Sequence, residues 1–252
     1  MGLDGKHAVV TGGGTGTGAA IAAELARAGA RVTVLGRREA PLREVAEQHR
    51  FIGWFTCDVT DAAAVRAAFD RARGLNGPVG VVVANAGAAE STPFGQMTAE
   101  GFRSMLEVNL GGVFNAFQAG FADMEAAGEG RMIAIASTAG LKGYPYVAGY
   151  CAAKHGVVGL TRALAMELGR SGITVNAICP GFIETPMLDR SIANICDKTG
   201  LSRDAAAKSL RKGNPQDRFI QVDEVAGAVR WLCSGAARSV NGHTLALTGG
   251  EI

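Results

Sequence analysis

Seven short apolar runs alternate with longer segments of helical periodicity, and no other feature constrains this chain as much. Strands that recur with a helix between successive members must pair in parallel, with the helices covering the sheet. The runs are 7–11 (HAVVT), 31–35 (RVTVL), 51–57 (FIGWFTC), 79–85 (VGVVVAN), 132–137 (MIAIAS), 173–179 (ITVNAIC) and 244–248 (TLALT). Several are apolar on both faces, as strands covered on both sides require. The expectation is an α/β fold with a seven-stranded parallel sheet and helices on both faces. The spacings are short and regular until a long gap opens between Cys179 and Thr244, which predicts a helical insertion at about 186–219. No repeat, low-complexity tract or linker divides residues 1–252, so they read as a single domain.

Charge is nearly balanced, with 25 Lys+Arg against 23 Asp+Glu, so nothing suggests a polyanion or a membrane surface as partner. Glycine is the outlier: 36 of 252 residues is about 14%, near twice the usual ~7%. Five cysteines, Cys57, Cys151, Cys179, Cys196 and Cys233, show no C-x-x-C pair and read as reduced, buried small hydrophobes. The N-terminal MGLDGKHAVV has neither a signal-peptide core nor a spanning apolar run. These readings predict a soluble cytoplasmic protein with a small-molecule substrate, and no nucleic-acid or membrane partner.

The first run leads directly into Thr11-Gly-Gly-Gly-Thr-Gly-Thr-Gly18 and then AAIAAELARAG, a helix-forming segment closed by Gly29. A strand, a glycine loop and a helix in this order make a phosphate cradle, because missing Cβ atoms let a pyrophosphate approach the amides and positive dipole end of the helix. Gly14, Gly16 and Ala19 satisfy G-x-G-x-x-G/A, and the more persuasive frame is Thr11-Gly12 with Gly16 and Gly18. Gly12, Thr15, Gly16 and Gly18 are the expected dinucleotide contacts of a Rossmann-like, doubly wound fold. The ribose-reading position lies about 20 residues further on. There the sequence reads VLGRRE, with Arg37 and Arg38 in place of a carboxylate, which favours NADP(H) while leaving NAD(H) open. The arginines could equally begin a solvated helix. Asp58 and Val59, after the third run, are placed to reach the adenine edge, unless Asp58 serves only the helix beginning near Asp61.

Tyr150 and Lys154 lie four residues apart, so on a helix they share a face and an ammonium sits near a phenol. A neighbouring cation is expected to draw the phenol down from its usual value near 10, which makes Tyr150 the candidate general acid/base. Ser137 closes its run, where its hydroxyl could orient a substrate oxygen toward the tyrosine. His155, about 100° away around the helix, is off that face. His7, His49 and His243 are isolated, no spacing fits a metal, and none is expected.

In order along the chain, Thr11–Gly18 (T-G-x-x-x-G-x-G), Asn85-Ala-Gly87, Asn109, Ser137, Tyr150-x-x-x-Lys154 and Pro180-Gly181 with Thr185 resemble the motifs of the short-chain dehydrogenase/reductase superfamily. Ala84, where many relatives carry a second Asn, and LTGG, where an Asp often precedes GG, depart from that pattern. The resemblance implies hydride transfer between a nicotinamide and a carbonyl, with Lys154 also on the nicotinamide ribose and Asn109 anchoring a water that leads from Lys154 to solvent. It implies that Asn85 and Gly87 line the adenosine side, that Ile183 and Thr185 hold the nicotinamide amide, and that a homotetramer forms through the helices bearing Asn109 and Tyr150 and the C-terminal segment.

Substrate choice is expected in 186–219, 88–96 and 141–146, which follow strand ends. LKGYPYVAG is largely apolar, and Met187, Leu188, Ile192 and Ile195 would add an apolar lid wall. Similarity is greatest to the 3-oxoacyl-thioester and polyketide ketoreductase branch, notably in GITVNAICPGFIETPM, which implies a 3-oxoacyl or 3-hydroxyacyl thioester. Carrier-protein enzymes of that branch tend to show a basic patch where this chain has MEAAGEGR, so Glu125 and Glu129 favour a coenzyme A thioester or a free ketone. The alternatives are a dehydrogenase for a cyclic or aromatic secondary alcohol, and a non-catalytic dinucleotide-binding sensor.

Overall fold

All seven apolar runs become strands of one parallel sheet in the computed structural model, which describes residues 3–252. The strands are β1 (His7–Thr11), β2 (Arg31–Gly36), β3 (Ile52–Thr56), β4 (Val79–Ala84), β5 (Gly130–Ile135), β6 (Ile173–Pro180) and β7 (Thr244–Leu247). The helices are α1 (Gly16–Arg27), α2 (Glu39–Glu47), α3 (Ala62–Asn76), α4 (Ala99–Leu106), α5 (Gly112–Ala127), α6 (Ala148–Glu167), α7 (Pro186–Thr199), α8 (Arg203–Arg211) and α9 (Val222–Leu232). Strand order is β3-β2-β1-β4-β5-β6-β7. The chain winds outward from β1, then returns to start again at β4, and the crevice at this reversal is where doubly wound sheets receive ligands.

Side-chain alternation divides the core between the two faces of the sheet. Ala8 and Val10 of β1 join Ile21 and Leu25 of α1 and Val225 and Val229 of α9 on one face. Val9 joins Phe69 of α3, Phe117 of α5 and Val157 of α6 on the other. Burying each such Ile, Leu or Phe fully is worth roughly 1.5–3 kcal/mol, so a strand apolar on both faces is held from both.

Only β1 keeps the bounds of its run; four strands shift by one end residue, and β3 and β5 differ at both ends. The run 51–57 pairs only over Ile52–Thr56: β3 is an edge strand whose Gly53, Trp54 and Phe55 stay half-buried, and Phe51, the residue before it, is exposed. The fifth strand begins at Gly130 and stops at Ile135. Its start was concealed by a glycine and an arginine, although a Cβ on Gly130 would lie 2.5 Å from the Met124 sulfur, so only glycine fits there.

The insertion is a pair of helices, α7 and α8, with a small core of its own. Leu188, Ile192 and Ala206 are buried in it. This corrects the expected lid wall: Leu188 and Ile192 are spent on packing α7 against α8, and Met187 and Ile195 remain half-buried. The expected burial of all five cysteines is also corrected. Cys57, Cys179 and Cys233 are buried, whereas Cys151 and Cys196 are half-buried on α6 and α7, and all five are free thiols. Among the described residues no helix is long and apolar enough to cross a membrane.

Candidate active site

The β1–α1 loop is shaped by its glycines. Gly12 adopts φ +64°, and a Cβ there would lie 2.9 Å from Ala86 Cα; a Cβ on Gly18 would lie 2.2 Å from the Gly12 carbonyl oxygen. Asn85 ties the loop to β4, its Nδ2 donating to the carbonyls of Thr11 (3.0 Å) and Gly12 (3.2 Å). Thr11 Oγ1 accepts from the Asn85 and Ala86 amides at 3.1 and 3.0 Å. Asn85 is therefore a staple between strands rather than an open contact surface, because its amide is already committed to the loop.

These residues fit a dinucleotide phosphate. Thr15, the exposed N-cap of α1, makes no side-chain cap bond, and no acidic residue stands in the first turn. The amides and positive dipole end of α1 thus face open space with nothing negative to compete. Across the crevice, a Cβ on Gly16 would sit 3.3 Å from Thr185 Cγ2, so the glycine loop and the segment after β6 are adjacent walls.

Arg37 follows β2 and is exposed, and Arg38 is the N-cap of α2, so the second arginine does begin a helix. Asp58 Oδ1 accepts from the Thr60 amide (3.0 Å) and hydroxyl (2.8 Å). Its carboxyl is held below the usual range by the Thr60 amide first, with a smaller contribution from Arg37. The cap of α3 is Asp61, which accepts from Ala63 and Ala64. Val59 is buried against α5, where Asn115 Nδ2 donates to its carbonyl at 2.8 Å.

Ser137 stands two residues beyond β5 and caps a single turn at Thr138–Gly140, its Oγ accepting from the Ala139 amide at 3.1 Å. Tyr150 and Lys154 share the face of α6 that turns toward it. Lys154 is 3% exposed; its Nζ donates to the Ile135 carbonyl at 2.8 Å and lies 5.5 Å from the centroid of the Tyr150 ring. Burial lowers the Lys154 ammonium to about 8. Burial also pushes the Tyr150 phenol up to about 12, with the Ser137 hydroxyl opposing the rise. The expectation that Lys154 draws the phenol down is corrected: the ammonium is committed to Ile135, and desolvation of the phenol prevails.

Asn109 is fully buried in a single π-helical turn, Glu107–Gly111, a widening that often marks a functional site. Nδ2 donates to the carbonyls of Ala88 (2.9 Å) and Met105 (3.0 Å), and Oδ1 accepts from the Ala88 amide at 3.2 Å. A Cβ on Gly87 would lie 2.8 Å from Asn109 Oδ1 and 3.8 Å from Lys154 Nζ. Asn109 therefore locks the segment after β4 against Lys154 and does not itself face the opening.

Pro180 ends β6, and the Gly181 amide donates to the Leu247 carbonyl at 3.0 Å. Ile183 pairs with Ile220 at the base of the insertion, and Thr185, N-cap of α7, donates to the Ile183 carbonyl at 3.2 Å. The segments 88–96 and 141–146 meet where the Thr92 amide donates to the Tyr146 carbonyl at 2.7 Å. Sequence reasoning placed Tyr144 only within the 141–146 segment and missed Thr138 and Glu251, with which it forms a hydrogen-bonded cluster beside Ser137. Their only sequence signal was proximity to the motifs. His155 bonds its own helix through the Cys151 carbonyl, and among the described residues no cluster of three or more His, Cys, Asp or Glu could hold a metal.

Residues 6–195 match the family model described as short chain dehydrogenase. The chain is 38% identical over 255 residues to a protein of Streptomyces coelicolor named ketoacyl reductase, covering 98% of this chain and 97% of that one. It is 38% identical over 250 residues to cis-4-hydroxycyclohexanecarboxylate dehydrogenase of Sinomonas cyclohexanicum, covering 97% and 96%. A crystal structure of an actinorhodin polyketide ketoreductase variant with NADPH superposes with a TM-score of 0.94 at 36% identity, covering 98% and 97%.

Proposed function

The chain belongs to the short chain dehydrogenase family, and we propose that it interconverts the ketone and secondary alcohol of a 3-oxoacyl or 3-hydroxyacyl thioester of the coenzyme A type, using NADP(H). The observation that carries the reaction class is the juxtaposition of Ser137, a phenol raised to about 12 and a buried ammonium on one face of α6. A pure binding module has no use for such a proton-handling pair, which weighs against a sensor.

At neutral pH Tyr150 keeps its proton and can deliver it to the substrate oxygen during reduction. Ser137 donates a hydrogen bond to that oxygen and orients it toward the phenol. Lys154, mostly protonated below about 8, lies under the ring that gains negative charge as the proton leaves, so its attraction grows along the reaction. The nicotinamide, when bound, supplies the hydride to the carbonyl carbon. Oxidation of the alcohol runs the same proton back to Tyr150. Asn109 acts as a positioning residue by fixing Gly87 and Ala88 against Lys154.

Gly12, Thr15, Gly16 and Gly18 would hold the pyrophosphate, and Asp58, Val59 and Gly87 the adenosine side, over the loop that Asn85 staples. Pro180, Gly181, Ile183 and Thr185 would line the nicotinamide side, with Lys154 at the ribose. Arg37 would meet a 2′-phosphate, which supports NADP(H) over NAD(H). The whole chain serves as one dinucleotide-binding domain with 186–219 as its lid. An apolar groove along Leu106, Leu110, Phe114 and Leu160, on the helices bearing Asn109 and Tyr150, supports a homotetramer, read by light scattering as four chain masses.

The thioester is supported by the similarity to ketoacyl reductases, and the coenzyme A form by the acidic Glu125 and Glu129. The relative named for a hydroxycyclohexane substrate supports a second reading, a cyclic secondary alcohol. Initial rates with acetoacetyl-coenzyme A and with a substituted cyclohexanone separate the two. Preference for the thioester upholds the first reading, and preference for the ring transfers the proposal to the second.

A further inference from the structure

Beside Ser137, a carboxylate from the segment after β7 is seated under the β5–α6 loop. Glu251 has a side chain only 7% exposed, and its Oε1 lies 2.7 Å from both the Tyr144 hydroxyl and Lys142 Nζ. The Tyr144 hydroxyl also lies 2.8 Å from Oγ1 of buried Thr138, the residue after Ser137. Tyr144 has one hydroxyl proton and the carboxylate can only accept. The proton of Tyr144 is therefore directed to Glu251, and Thr138 must donate to Tyr144. The carboxylate thus sets the direction of both bonds. The Tyr144 phenol is pushed up by burial, and Glu251 adds to the rise, so it remains a donor.

Glu251 joins three segments around the opening: the β5–α6 loop, the turn after β6 and the end of the insertion. A Cβ on Gly213, at the end of the insertion, would lie 2.8 Å from Oε1, and one on Gly181, after β6, would lie 3.6 Å from Oε2. The Tyr144 ring packs edge-on against Phe182, with centroids 6.3 Å apart. Two residues on, Tyr146 holds a left-handed φ of +67°, a conformation that persists only where its surroundings enforce it. The loop is thus pinned twice, at Tyr144 by Glu251 and at Tyr146 by the Thr92 amide.

We propose that Glu251 is a positioning residue for the ketone: through Tyr144 and Lys142 its carboxylate fixes the loop 138–146 as the wall that seats the substrate beside Ser137. This rests on the reading of Ser137 and Tyr150 as the reacting centre. Hydrogen bonds to a charged group are strong enough that losing one should move an equilibrium about 10- to 100-fold.

The test compares the unsubstituted protein with Glu251→Gln, Glu251→Ala, Tyr144→Phe and the double variant Tyr144→Phe/Glu251→Ala. Kinetics with acetoacetyl-coenzyme A and NADPH are combined with amide hydrogen exchange over 138–146. Glu251→Ala and Tyr144→Phe should each raise the thioester KM about tenfold or more, with kcat and the NADPH KM nearly unchanged. Glu251→Gln, which keeps an acceptor for Tyr144 but loses the charge facing Lys142, should fall between. The double variant should be no worse than the larger single effect, since both act through one network. Exchange over 138–146 should quicken in Glu251→Ala while the sheet stays protected. An unchanged thioester KM, a parallel rise in the NADPH KM, or unchanged exchange in that segment would overturn the proposal. Should the unsubstituted protein turn over no ketone, the reductase reading falls, and the exchange result alone decides whether Glu251 holds the loop.

Discussion

Lys154 holds its Nζ 5.5 Å from the centroid of the Tyr150 ring while donating to the Ile135 carbonyl at 2.8 Å. The ammonium is anchored to the sheet and does not ionise the phenol beforehand; in the proposed reaction it stands by for the charge that develops there. The phenol keeps its proton because burial penalises phenolate. In the proposed reaction the pair would donate a proton and stabilise what remains.

That anchoring is costly to the fold, and the cost has a pH signature. Lys154 falls from 10.5 to about 8 on folding, so between those values the unfolded chain binds more protons and stability must rise with pH. Replacing Lys154 by Met removes the penalty, which is roughly 3 kcal/mol at most. Lys154→Met should therefore resist urea better than the unsubstituted protein at pH 7, and its advantage should shrink as pH climbs through 8 to 9. The buried thiols Cys57 and Cys233, raised to about 11 and about 12 and independent of Lys154, pull stability the other way above 9 in both proteins. The readout is therefore the difference between the two denaturation midpoints, and a constant difference across this range would contradict the assignment.

Arg37 is exposed, and its charge reaches Asp58 across the end of the sheet. A charge-assisted hydrogen bond to a 2′-phosphate is worth about 1.5–3 kcal/mol. Arg37→Ala should raise the KM for NADPH about 10- to 100-fold and leave that for NADH unchanged, as measured by initial rates with each cofactor. Equal changes for both cofactors would remove Arg37 from the phosphate.

Gly18 has no room for a side chain, since a Cβ would lie 2.2 Å from the Gly12 carbonyl and 2.5 Å from Asn85 Nδ2. Gly18→Ala should weaken NADPH binding at least about tenfold by forcing the loop off the staple, as read by cofactor fluorescence. Gly74→Ala, in open space on α3, is the control and should leave binding untouched. Equal affinities in the two variants would refute the close approach.

The sheet was legible because its strands are apolar on both faces, and the juxtaposition of Tyr150 and Lys154 because the two are local in sequence and obey helical spacing. What escaped depends on distance or on desolvation. Periodicity could mark Leu188 and Ile192 as apolar, but not that each would be spent against Ala206. Spacing could place Lys154 near Tyr150, but not reveal that a backbone carbonyl 19 residues away would hold the ammonium. Glu251 lies 107 residues from Tyr144, and no local pattern joins them.

Tyr150 as proton donor is tested most directly by initial rates of NADPH oxidation with acetoacetyl-coenzyme A for the unsubstituted protein and Tyr150→Phe, with NADPH affinity measured in parallel. General acid catalysis is worth about 10²–10⁴-fold, so turnover in Tyr150→Phe should fall by about a thousandfold while NADPH affinity stays within a factor of about two. Turnover retained within about tenfold, at unchanged affinity, would show that the proton comes from elsewhere.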